Sequence, residues 1–144
     1  MLSSEMFDAL AAYFAEQPRV VAAFLYGSQS RGTAQTGSDV DIAVLLEHDA
    51  PADPMLRVRY TNELMDLLNR SKADVVNINQ ASPLLAHRVA RDGTVLFATG
   101  NGVVGEFIIR AVQQYVDTQP LRDLQAMQTR KFFLNASGER HEQR

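Results

Sequence analysis

Two acidic residues, Asp39 and Asp41, follow the pair Gly27-Ser28 after an interval of ten residues, and a third, Asp74, stands at the head of a later apolar run. Side chains two apart on a strand point to the same face, so Asp39 and Asp41 can reach one ion site. Hard oxygen ligands completed by water and substrate phosphates are what Mg²⁺ prefers, and paired ions stabilise the attacking and leaving oxygens of an in-line displacement. Gly27-Ser28 ends an apolar run and allows a tight turn whose free N–H groups can face an anion such as a triphosphate. In that turn Gly27 lets the backbone approach closely and the Ser28 hydroxyl can donate to a phosphate oxygen. Arg31, in the same Gly-Ser-Gln-Ser-Arg-Gly stretch, is a candidate for balancing triphosphate charge.

Each feature alone has a plainer reading. Gly-Ser is a common turn dipeptide, Ser38-Asp39 can be a polar loop end, and an arginine in a turn is ordinary. The conjunction points to nucleotide chemistry, because the turn and the carboxylates sit at the ends of neighbouring apolar runs. Asp74 is a third metal ligand, a general base for an attacking hydroxyl, or a strand-end cap; the register that would decide is not fixed by sequence. Other residues carry little. His48, His87 and His141 lack zinc spacing, no serine sits in a nucleophile elbow, and no P-loop is present. Arg57 with Arg59, and Arg88 with Arg91, suit either an anion or acidic partner or solvated helix faces.

The elements that must position these residues follow from periodicity. Met6, Leu10, Tyr13 and Phe14 predict an opening helix from Ser4 to Glu16, capped by Ser3 or Ser4. Strands are predicted over Val20 to Tyr26, Val40 to Leu46, Ala73 to Ile78 and Thr94 to Ala98. Gln29 to Thr36 reads as a polar turn or short helix. Helices are expected over Met55 to Leu68, from Ser82-Pro83 to Asp92-Gly93, and from Val103 to Val116, with Pro120 interrupting before Leu121 to Phe133 resumes. Gly100-Asn101-Gly102 reads as a turn before a helix. Alternating strands and helices predict an α/β domain, a small mixed central sheet flanked by helices. The core spans residues 1–100, a C-terminal helical extension of the same domain spans 101–136, and 137–144 reads as a frayed tail.

With 144 residues, 46% hydrophobic and 22% charged, the chain has the composition of one globular domain. A net charge of −3 argues against a dedicated nucleic-acid binder. No cysteine occurs, which removes disulfides, thiolate zinc sites and a cysteine nucleophile. The N-terminal residues lack a signal-peptide pattern and no segment approaches a membrane span, so a cytoplasmic location is expected, where the Asn135-Ala136-Ser137 sequon is idle.

The stretch Leu25-Tyr26-Gly27-Ser28-Gln29-Ser30-Arg31-Gly32 through Ser38-Asp39-Val40-Asp41-Ile42-Ala43-Val44-Leu45 resembles the signature of polymerase-β-like nucleotidyltransferases. Over nearly its full length the chain is similar to the small MntA-type minimal nucleotidyltransferases, antitoxins of HEPN/MNT toxin-antitoxin systems. The resemblance implies a polymerase-β-like fold, ATP as substrate and Mg²⁺, as two ions, as cofactor. It also implies transfer of AMP to a tyrosine of a HEPN-domain RNase toxin, HepT-like, that is thereby silenced. By the same resemblance Gly27 and Ser28 match the phosphate-binding turn, Asp39 and Asp41 the metal pair, and Asp74 the third acidic position. Two other readings stay open: nucleotide transfer to a small molecule such as an antibiotic, and neutralisation of a toxin by contact through the apolar helices after Gly102.

Overall fold

A computed structural model describes residues 2–27, 39–69 and 72–142, the span 138–142 by its backbone alone. Helix α1 (Ser4–Ala15) starts at Ser3, whose hydroxyl accepts the Met6 N–H at 3.2 Å. Strands β1 (Val20–Tyr26) and β2 (Val40–Leu46) follow, with the predicted bounds. Helix α2 (Leu56–Leu68) closes on Asn69 in the left-handed conformation and leads to strand β3 (Ala73–Asn77). That strand is one residue shorter than expected, because Asn77 caps a 3₁₀ turn over Ile78–Gln80 by accepting the Asn79 N–H. Helix α3 (Pro83–Asp92) has Ser82 as N-cap and Pro83 in its first turn, the arrangement its sequence predicts. It stops at Gly93, where a Cβ would come within 2.4 Å of the Val89 carbonyl oxygen. Strand β4 (Thr94–Ala98) and helices α4 (Asn101–Asp117) and α5 (Gln119–Glu142) complete the order. Asn101 and Gly102 belong to the first turn of α4, which starts two residues before the expected Val103. Pro120 sits near the start of α5, where its missing N–H costs nothing.

The sheet order is β3-β2-β1-β4, with β2 and β3 parallel and the other two pairings antiparallel, as a mixed sheet predicts. Strand alternation divides its side chains between two cores. Val40, Ile42 and Val44 of β2, with Val75 of β3, face α1 and α2, packing on Leu10, Phe14, Tyr60 and Leu64. Phe24 and Tyr26 of β1, with Ala43 and Leu45 of β2, face α3 and α4, packing on Val89, Phe107 and Ala111. This alternation forces Asp41, between Val40 and Ile42, onto the α3/α4 face. The same parity puts Asp74 there, between Ala73 and Val75.

Candidate functional site

The register brings the carboxylates together. Asp41 is the Cα partner of Asp74 across the parallel β2/β3 pair and of Tyr26 across the β1/β2 pair. Asp39 is exposed just before β2 begins. The charges of Asp39 and Asp74 both act on Asp41: its carboxyl is raised above the ordinary value of 3.8, first by partial burial and then by those two neighbours. Three acidic groups of one sign are thereby held close enough to oppose one another, and a divalent cation between them would relieve that repulsion. The donor set is all carboxylate oxygen, which fits Mg²⁺. Among the described residues no three such side chains are already drawn around a common point as ligands.

Gly27 closes β1 with φ +76, a left-handed conformation that side chains disfavour. A Cβ built there would lie 2.9 Å from Asp41 Oδ2. Glycine is therefore required twice, by its dihedral and by the carboxylate against its backbone. Gly27 and the Asp41 carboxylate thus lie against one another, as a site joining phosphate to metal needs. Ser28 and Arg31 lie outside the described residues, as does the stretch from Gln29 to Thr36.

Two further residues, with no role at the carboxylates foreseen from the sequence, join the site. Tyr26 is buried on the same face, and its hydroxyl is pushed up to about 12 by burial, with Asp41 and Asp74 adding to the shift. It stays a neutral phenol at physiological pH. Arg57, from the first turn of α2, donates from Nε to Asp74 Oδ1 at 2.9 Å and from Nη2 to Asp74 Oδ2 at 2.8 Å. Arg57 and Arg59 both stand exposed and pair with carboxylates of this chain: Arg59 meets Asp53 at 3.0 Å. Arg91 likewise pairs with its neighbour Asp92 at 2.8 Å. The pairing of Arg57 was hidden because Asp74 is 17 residues away and on a different element.

Arg57 also lines a cavity of about 720 Å³ walled by the ends of β2 and β3 and by the segment that leads into α2; none of Asp39, Asp41 and Asp74 lines it. Leu46, His48, Pro54, Asn77, Gln80 and Leu85 contribute to its wall. One rim is fixed by Asn79, whose side chain accepts the Leu46 N–H at 2.9 Å and donates to the Leu46 carbonyl at 3.0 Å. Gly27 lies on the β1 side of Asp41, whereas Asp74, Arg57 and the cavity lie on the β3 side.

Comparison with known proteins bears on this arrangement. The family model described as "Polymerase beta, Nucleotidyltransferase" matches residues 8–101. The chain is 35% identical over 80 residues to Protein adenylyltransferase MntA of Aphanizomenon flos-aquae (strain 2012/KM1/D3), covering 51% of this chain and 53% of that protein. It is 34% identical over 82 residues to Protein adenylyltransferase MntA of Shewanella oneidensis, covering 57% of each. The matched segment spans little more than half the length of these curated relatives. Among solved structures, a chain from the crystal structure of a toxin-antitoxin with AMP-PNP superposes with a TM-score of 0.75 at 26% identity, covering 89% of this chain and 98% of that one. A chain from the tri-AMPylated Shewanella oneidensis HEPN toxin in complex with MNT antitoxin shares the fold, with a TM-score of 0.71 at 22% identity over 88% of this chain and 98% of that one.

Proposed function

The chain belongs to the polymerase beta nucleotidyltransferase family, and from that premise we propose that it is an adenylyltransferase antitoxin, moving AMP from ATP to a tyrosine of a HEPN-domain toxin in the cytoplasm. The observation that carries the reading is the Asp41 carboxylate, set against the Gly27 turn on one side and opposite Asp74 on the other. The similarity to two proteins named as adenylyltransferases, and to a toxin-antitoxin structure with AMP-PNP, supports ATP as the nucleotide and a toxin as the partner. Among the described residues no helix is long and apolar enough to cross a membrane.

In this reading Asp39 and Asp41, joined by Asp74, would hold Mg²⁺, which when bound would supply charge neutralisation for the phosphates in an in-line displacement. Gly27 and Ser28 cradle the β and γ phosphates, with Arg31 adding positive charge. The leaving pyrophosphate then lies on the Gly27 side, so the attacking hydroxyl must approach from the opposite side, along β3. Asp74 stands on that side and takes the tyrosine proton as the oxygen–phosphorus bond forms and the bond to pyrophosphate breaks. The cavity beyond Arg57 gives the acceptor segment room to lie. Tyr26, neutral and buried, stands beside Asp41 on β1.

The test is the intact mass of a HEPN-domain partner after incubation with this protein, ATP and Mg²⁺, beside the Asp39→Asn, Asp41→Asn double variant. A gain in AMP units that the variant lacks is the expected result. A second reading, neutralisation by contact alone, is favoured by the exposed apolar side chains of α4 and α5, Ile109, Val116, Phe132 and Phe133 among them. An unchanged mass with a tight complex would select it.

A further inference from the structure

Arg57 reaches the carboxylates from the wrong side of the sheet. Its helix packs with Leu56, Tyr60, Leu64 and Leu68 into the core that contains Val75, whereas Asp74 belongs to the opposite face. β3 is an edge strand, and the Arg57 side chain has to pass around that edge to meet Asp74. Once there it occupies both carboxylate oxygens, one with Nε and one with Nη2. The bond pattern is the fork-on-carboxylate geometry that only arginine supplies.

The pair is exposed, 63% for Arg57 and 36% for Asp74, so it contributes little to folding stability. Its location is more telling than its strength. Asp74 lies directly across from Asp41, whose charge is already opposed by Asp39. A guanidinium at Asp74 supplies the positive charge that three clustered carboxylates call for, and it does so at oxygens a metal ion would need. Being solvent-screened, it is held weakly enough to be exchanged for a divalent ion.

We propose that Arg57 is a displaceable counter-ion: it caps Asp74 while the carboxylates hold no metal, and it gives up at least one Asp74 oxygen when the ion and nucleotide load. The inference rests on the nucleotidyltransferase reading of Asp39, Asp41 and Asp74. Arg57 is thus a positioning residue, acting through Asp74. A carboxylate oxygen keeps a second lone pair, so Arg57 can retain one hydrogen bond and steady Asp74 after the exchange.

The decisive measurement is Mn²⁺ titration of the full-length protein, with free Mn²⁺ read by electron paramagnetic resonance, with and without AMP-PNP and with folding confirmed by circular dichroism. Arg57→Gln removes the competitor and should tighten Mn²⁺ binding about two- to fivefold, the range set by an exposed ion pair. Arg57→Lys keeps the charge without the fork and should fall between. In an Asp74→Asn background the gain from Arg57→Gln should shrink towards nothing. Unchanged or weaker binding by Arg57→Gln, or an equal gain in the Asp74→Asn background, overturns the inference and leaves the nucleotidyltransferase reading standing. Absence of Mn²⁺ binding in the unsubstituted protein, or equal binding by the Asp39→Asn, Asp41→Asn variant, brings down both.

Discussion

Asp41 carries a cost that function explains and folding does not. Its carboxyl binds a proton more tightly in the folded chain than in the unfolded one, because burial and the charges of Asp39 and Asp74 disfavour the anion. The folded state therefore holds more proton than the unfolded state between the ordinary value and the raised one, and stability falls as pH rises through that window. Above it the loss is complete, so the metal-free protein at neutral pH carries an anion it would be more stable without. Asp41→Asn replaces that anion with a neutral isostere. Thermal unfolding without divalent ions should show a higher Tm for Asp41→Asn at pH 7, with the difference closing as pH falls below 3.8. A lower Tm at pH 7 would mean that the carboxylate holds the Gly27 turn by attraction instead.

Among the elements, α4 decides whether the site face of the sheet is covered. Phe107 is 4% exposed, and its ring centroid lies 5.1 Å from that of Phe24 on β1. Phe107→Ala should cost about 3–5 kcal/mol by denaturant titration, whereas Ile109→Ala, two residues on and 59% exposed, should stay within about 0.5 kcal/mol. Equal losses at both positions would mean that α4 packs by another face. The strands were legible in the sequence almost to the residue, because Val, Ile, Leu and Phe runs bounded by polar turns mark where each strand begins and ends. Gly27, Asp39 and Asp41 stood out because local spacing alone joins them. Asp74 needed the β2/β3 register to become a partner of Asp41. Arg57 needed the packing of α2 against the far face, a tertiary fact that no local pattern encodes. The 3₁₀ turn after Asn77 was missed because an Asn side chain competing for a backbone N–H looks, in sequence, like a continuing strand.

On the scale of the whole molecule, chemistry and apolar exposure are separated along the chain. The carboxylates lie between residues 39 and 74, whereas the largest exposed aromatic rings, Phe132 at 70% and Phe133 at 64%, stand on α5. That helix begins at a corner held by Arg122, which lies 4.0 Å above the Tyr115 ring and donates to the Tyr115 carbonyl at 2.7 Å, while the His87 ring stacks on Tyr115 with centroids 3.8 Å apart. Apolar rings presented to water beyond this corner suit a protein partner better than a small molecule, since aromatic side chains concentrate binding energy at protein interfaces. Phe132→Glu with Phe133→Glu should therefore weaken co-purification of a HEPN-domain partner by tenfold or more, about 1.4 kcal/mol, and leave Mn²⁺ and AMP-PNP binding unchanged. Loss of nucleotide binding in the same variant would show that α5 supports the catalytic face. Undiminished partner capture would move the docking surface elsewhere, to the β3 edge beside the cavity, the side from which the proposed mechanism brings the acceptor hydroxyl.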